Sequence, residues 1–347
     1  MTVSKTDIRE VSIESLEDFF LQHNAPKFRA TQVQEWLWKY RIINFNDMTN
    51  LSIHDRNLLN QHFSINSLKI IKNQISIDGT IKFLFLVDEN RFVEGVIIPQ
   101  LNRLTACISS QVGCSLSCTF CATGKLKLYK NLSSGEIYDQ IFLMNQYALK
   151  HFNKAISNIV YMGMGEPLLN VKNVLKSIKH ITSTNGMGMS GRRITVSTVG
   201  ITKIIKKIAD INPNFNLAIS LHSANDIKRS KIMEINKTNN LSNLAESLAY
   251  FYEKTKIKPT YEYVLLSGIN DSIDDAKELI NFCKKIPSKV NLIEYNKVKD
   301  SIYEKSTKEA TSLFIRFLEK HNILVKLRRS RGEDIAAACG QLAIQNE

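Results

Sequence analysis

No run of eighteen apolar residues occurs in the 347-residue chain, so no membrane-crossing helix is expected. The opening stretch, Met1 to Glu10, lacks the apolar core of a secretory leader, and a cytoplasmic protein is expected. Internal repeats and low-complexity linkers are missing as well. Cysteine is scarce, and its placement excludes one use. Of the six cysteines, Cys107, Cys114, Cys118 and Cys121 fall within fifteen residues, leaving Cys283 and Cys339 apart. That is not the framework of a secreted disulfide scaffold. No second C-x2-C pair is present to complete a common zinc pattern. Acid is in deficit, with 33 Asp and Glu against 46 Lys and Arg and a net charge of +13. Such an excess favours a polyanionic partner, nucleic acid first among them, although Lys-rich solvated faces give the same count.

What is present is an ordinary globular balance, 44% hydrophobic and 23% charged, in a chain long enough for about two domains. Its most informative stretch is Cys114-Ser-Leu-Ser-Cys118-Thr-Phe-Cys121, spaced C-x3-C-x2-C. A short irregular loop can aim three thiolates at one soft metal centre. A four-iron cluster held by three thiolates keeps one iron open for a substrate or cofactor. A zinc site and three incidental thiols remain alternatives at this point.

Residues 1–66 read as a helical accessory domain. Apolar stripes run from Ile13 to Phe20 and from Phe28 to Ile43, and Val33, Leu37 and Tyr40 fall at helical spacing. Trp36 and Trp38 lie among Lys27, Arg29, Lys39 and Arg41. The aromatics suit a small core, while the basic face suits RNA phosphates. Residues 67–102 turn β-rich, and the runs on either side of Asp88-Glu-Asn predict a hairpin. Its second strand carries a lone acid, Glu94, beside Gly95. Such an acid is either solvent-facing or a desolvated acid–base group.

Residues 103–347 alternate. Strands are expected at 105–110, 157–162, 193–198, 216–221, 260–266 and 289–294, with a last one at 323–327. Helices are expected after Ser133, where Ser-Ser-Gly-Glu spells a capping box, and after Asn170, Gly200, Asn240, Ser272 and Ser306. The alternation predicts an α/β fold, a parallel sheet or partial barrel. In such folds the C-terminal strand ends hold the site. There the sequence places Gly163-Met-Gly165-Glu166-Pro167, Ser197-Thr198, Ser220-Leu221-His222 and Asn296, which together describe a polar ligand pocket. Cys339 sits among small residues, Cys107 lies just upstream of the cysteine loop, and Cys283 reads as core.

These motifs resemble the radical S-adenosylmethionine (SAM) superfamily, and within it the dual-specificity ribosomal and transfer RNA adenine carbon-2 methyltransferases of RlmN type. The resemblance rests on Cys107 to Cys121, Met162 to Asn170, Arg192 to Thr198, Ala218 to His222 and Arg331 to Leu342. It implies a partial (β/α)6 barrel with an N-terminal accessory domain. It implies a [4Fe–4S] cluster on Cys114, Cys118 and Cys121, and SAM contacts from Gly165, Glu166, Ser197, Ser220, Leu221, His222 and Asn296. By the same resemblance Cys339 carries a methyl group taken from one SAM, and a 5′-deoxyadenosyl radical from a second SAM activates it. Cys107 then resolves the adduct and Glu94 accepts the carbon-2 proton. The implied partners are 23S rRNA, tRNA and an electron donor such as flavodoxin or ferredoxin, with the protein acting as a monomer. Methylation of carbon-8 of the same adenine, and a non-enzymatic zinc- and RNA-binding protein, are the competing readings. Three positions depart from the family pattern: Gly95, where Thr or Ser is usual, the Glu294-Tyr-Asn296-Lys stretch, and Ala336, where Asp is common.

Overall fold

The structure, a computed structural model, describes residues 5–343. Three helices open it: α1 (Ile13–Gln22), α2 (Phe28–Trp38) and α3 (Ile53–His62). Ser12 and Ser52 cap α1 and α3 by accepting N–H groups from the first turn. Leu16 and Phe20 of α1 and Val33 and Leu37 of α2 are buried at helical spacing. Tyr40 departs from the stripe expected of it. The helix ends before it, and the ring is 51% exposed. Trp38 is core: it stacks on His180 at 3.5 Å and meets Tyr138 edge-on.

The sheet has ten strands, and they follow one another in chain order. They are β1 (Lys69–Ile75), β2 (Ile81–Asp88), β3 (Arg91–Gln100), β4 (Arg103–Cys107), β5 (Asn158–Tyr161), β6 (Ile194–Thr198), β7 (Asn216–Ser220), β8 (Thr260–Leu265), β9 (Lys289–Glu294) and β10 (Val325–Arg328). From β1 to β4 the pairing is antiparallel; from β4 to β10 it is parallel. The hairpin expected around Asp88 is therefore β2–β3. An edge strand, β1, extends it. Ile81, Phe83 and Phe85 alternate inward along β2 and are fully buried.

Parallel strands need crossovers, and helices supply them. These are α4 (Ser134–Phe152), α5 (Val171–Thr182), α6 (Thr202–Asp210), α7 (Asp226–Ile232), α8 (Leu241–Thr255), α9 (Ile273–Cys283) and α10 (Lys308–Lys320). The capping box at Ser133 forms with Glu136, and Asn240 and Ser272 cap α8 and α9. Laid flat, β4 to β10 would span about 29 Å at roughly 4.8 Å per strand. Residues from every one of these strands nevertheless line a single cavity. The sheet therefore curls into a partial barrel, with that cavity at the C-terminal strand ends.

The helical region is docked on the barrel by a buried charge cluster. Asp139 of α4 accepts from Arg9 Nη1 at 2.9 Å, Arg41 Nε at 2.7 Å and the Leu68 N–H at 3.0 Å. No helix among the described residues is long and apolar enough to cross a membrane.

Candidate active site

Cys107 ends β4, and the chain beyond it is clamped before the cysteine loop begins. The Gln140 side chain both donates to and accepts from the Ser109 backbone, at 3.0 and 2.9 Å. The Ser109 hydroxyl accepts the Met164 N–H at 2.8 Å, and Gln111 Oε1 accepts the Glu166 N–H at 2.7 Å. These bonds lock the cysteine loop to the Gly163–Glu166 turn at the end of β5. A Cβ on Gly163 would lie 2.7 Å from the Ile108 backbone, so only glycine permits this approach. Within the loop, a Cβ on Gly124 would meet the Cys118 carbonyl at 2.7 Å.

Cys114, Cys118 and Cys121 all line the cavity. Burial raises the pKa of each thiol, to about 11 for Cys114. The neighbouring thiols raise Cys118 further. Thiols crowded this way ionise when a cation binds them. Three thiols around one cavity fit an iron–sulfur cluster with an open position.

The polar rim stands beside them. Glu166 is buried; its carboxylate accepts the Leu168 N–H at 2.9 Å and the Val199 N–H at 3.0 Å. Burial still lifts its pKa to about 7. His222 Nδ1 accepts the Val264 N–H at 3.1 Å, which assigns the ring proton to Nε2. Burial then drops its pKa to about 3 and keeps it neutral. Gly165, Ser197, Ser220 and Asn296 line the same space. Asn296 donates to the Cys339 carbonyl at 3.1 Å, while its buried Oδ1 has no partner. An orphaned acceptor in a cavity suits a ligand donor such as the SAM ammonium group. The space is walled by these residues and open at its mouth.

Cys107 and Cys339, 232 residues apart in sequence, line this cavity with Arg328 and Glu262. Burial pushes the Cys107 thiol up to about 12 and Cys339 to about 11, and the Arg328 guanidinium pulls both down. Arg328 is held by Glu262 at 3.1 Å. The Cys339 side chain is exposed from inside a protein-walled cavity.

Cys339 rides on a strap that crosses the mouth. At one end Asp334 accepts from the Ser76 hydroxyl at 2.5 Å and the Ile77 N–H at 3.1 Å, and the Gly332 N–H donates to Asp78 at 3.0 Å. At the other, the Gly340 carbonyl accepts the Ala122 N–H at 2.7 Å and the Leu342 carbonyl accepts from Thr123 at 2.5 Å.

Family models match both parts of the chain. One described as the ribosomal RNA large subunit methyltransferase N-terminal domain covers residues 6–65, and one for the radical SAM superfamily covers residues 108–283. A probable dual-specificity RNA methyltransferase RlmN from Cytophaga hutchinsonii is 50% identical over 343 residues, covering 99% of this chain and 94% of that one. A protein of the same name from Flavobacterium psychrophilum is 50% identical over 343 residues, covering 99% of both. The chain belongs to the RlmN family. The crystal structure of a radical SAM methyltransferase from Sphaerobacter thermophilus matches with a TM-score of 0.89 and 32% identity, over 97% of this chain and 99% of that one. The protein is thus a SAM-dependent RNA methyltransferase of the radical SAM class, a family that works with a [4Fe–4S] cluster and SAM.

Two residues that the RlmN resemblance assigned to the site stand off the cavity wall. Leu221 is fully buried, and its carbonyl accepts from Arg229 at 3.0 Å. Glu94 lies behind the strap, where Oε2 accepts the Ala343 N–H at 2.9 Å and Oε1 is 3.4 Å from Lys82. Sequence reasoning missed Glu262 and Arg328. Glu262 gave the same signal as Glu94, a lone acid in an apolar strand. Arg328 heads the basic stretch Arg328-Arg329-Ser-Arg331, which hides it among charges that are usually solvated.

Proposed function

We propose that this RlmN family member methylates carbon-2 of an adenine in 23S rRNA and of the adenine 3′ to the anticodon in some tRNAs. The supporting observation is the shared cavity, which gathers the three-cysteine loop, the polar strand ends, Cys107 and Cys339. Carbon-2 of adenine is electrophilic and cannot attack an ordinary methyl donor, so a carrier thiol and a radical step are needed. Held by Cys114, Cys118, Cys121 and the strand-end rim, the cluster and SAM supply a methyl group and, with an electron from a donor such as flavodoxin or ferredoxin, a hydrogen-abstracting radical.

The remaining work falls to side chains. Cys339 presents the methyl-bearing sulfur at the mouth, where an unstacked base can enter. Cys107, which lines the same cavity with Arg328, attacks that sulfur. An S–S bond forms as the bond from Cys339 sulfur to the transferred carbon breaks; the carbon side keeps the electron pair and takes up a proton to complete the methyl group, and a two-electron reductant restores both thiols. Glu94 accepts the carbon-2 proton, which requires Ala343 and its neighbours to swing off the carboxylate as RNA binds. Residues 1–66 form an accessory RNA-contacting domain, 67–102 an extension of the sheet, and 103–347 the catalytic barrel. The enzyme works as a cytoplasmic monomer.

Anaerobic assay with isotopically labelled SAM on both 23S rRNA and tRNA, followed by nucleoside mass spectrometry, tests the reading. Labelled 2-methyladenosine from both RNAs is expected. Labelled 8-methyladenosine as sole product, or a colourless zinc protein that does not cleave SAM, contradicts it.

A further inference from the structure

Arg229 of α7 is fully buried, and a buried charge needs compensation. The other fully buried arginine, Arg9, has Asp139 at 2.9 Å. Arg229 has no ion pair among the described residues. Its guanidinium donates to the carbonyls of Val199 at 2.7 Å, Leu221 at 3.0 Å, Ser220 at 3.2 Å and Asn239 at 3.5 Å, and to Asn236 Oδ1 at 2.7 Å. All five are neutral oxygens. Asp226 reaches it only through Asn236, whose Nδ2 donates to the Asp226 carboxylate at 2.9 Å.

This uncompensated cation lies under the cysteine loop. One turn beyond it, the Ile232 carbonyl accepts the Thr119 N–H at 3.1 Å, and Cys118 packs in the cluster of apolar residues around Ile232 and Met233. Burial lowers the pKa of Arg229 to about 10, while Cys118 and then Asp226 oppose the fall.

We infer that Arg229 is the fixed counter-charge of the iron–sulfur cluster and raises its reduction potential. The inference rests on the cluster assignment to Cys114, Cys118 and Cys121. One electron from an external low-potential donor enters the cluster, no proton need follow, and the centre becomes one unit more negative. A nearby cation in a poorly solvated site favours the more negative state. Arg229 acts as a positioning residue too, because it ties together the ends of β6 and β7. Potentiometry separates the two roles.

The test is an anaerobic redox titration, followed by electron paramagnetic resonance, of reconstituted wild type, Arg229→Lys, Arg229→Gln and Asp226→Asn. Arg229→Gln is expected to titrate at a more negative potential, Arg229→Lys close to wild type, and Asp226→Asn at a less negative potential. Asp226→Asn keeps an oxygen for the Leu241 N–H, 3.0 Å away, so it still decides the matter if Arg229→Gln fails to fold. Unchanged potentials in iron-replete variants, or shifts of Arg229→Gln and Asp226→Asn in one direction, overturn the role of Arg229 alone. A wild type that assembles no cluster overturns the cluster assignment and this inference with it.

Discussion

Cys107 and Cys339 share a cavity and a cation, Arg328, yet the tasks proposed for them differ, and single substitutions separate them. Cys339→Ala removes the proposed methyl carrier while leaving the cluster loop intact. SAM cleavage should persist and RNA methylation should fall to background, checked by 5′-deoxyadenosine release beside methyl incorporation. Cys107→Ala leaves the proposed carrier but removes the proposed resolving thiol. A covalent protein–RNA adduct should accumulate, seen as a gel species destroyed by ribonuclease; normal turnover would make Cys107 structural. Glu166 predicts a pH effect in the protein without its cluster. Its pKa is raised by burial from 4.5 to about 7 in the fold, so the folded state holds a proton that the unfolded state has lost. That proton's contribution to stability is complete below pH 4.5 and is lost as pH rises to about 7. The loss is roughly 1.4 kcal/mol per pH unit across that window. Thermal unfolding of wild type against Glu166→Gln should show the slope in wild type and a flatter profile in the variant. The acid itself was legible as part of a glycine-rich turn at a strand end. Its burial was not, because that depends on Leu168 and Val199 closing over it.

At the scale of elements, local signals carried most of the architecture. The capping box at Ser133 and the polar caps at Asn240 and Ser272 mark helix starts through chemistry confined to a few residues. Apolar runs marked the parallel strands because both faces of those strands are covered. Two elements escaped. Helix α7 has only seven residues, too few for an amphipathic period. Strand β1 is a sheet edge with three consecutive exposed residues, Lys69 aside, at Ile71, Lys72 and Asn73, so it lacks the alternation seen in β2. Also invisible was the partner of Asp139, since Arg9 and Arg41 lie 130 and 98 residues away. Asp139→Ala leaves two arginines without their buried carboxylate. Such a loss costs about 3–5 kcal/mol, and it should fall on the seam between the helical region and the barrel. Chemical denaturation should show the lost stability, with helices α1 to α3 released first in hydrogen exchange.

Across the whole molecule, the proposed catalytic arrangement depends on the strap that brings Cys339 back over the barrel mouth. Small residues around Cys339 hinted at close approach, but no local pattern says that Asp334 will dock on Ser76 and Ile77, some 257 residues away. Asp334→Ala removes two hydrogen bonds at that dock, worth about 1–3 kcal/mol together. Amide exchange across 332–343 should quicken while iron content stays at the wild-type level; unchanged exchange would show that the dock does not hold the strap. The central claim is that the methyl group passes through Cys339 on its way to adenine, and tracing the methyl tests it most directly. Wild-type protein is incubated with methyl-labelled SAM, freed of unbound SAM, and mixed with RNA under reducing conditions with unlabelled SAM. Mass spectrometry then follows the label in the peptide carrying Cys339 and in the RNA nucleosides. The expected result is label on Cys339 before RNA is added and in 2-methyladenosine afterwards. Methylated RNA without label ever residing on Cys339 would contradict the account.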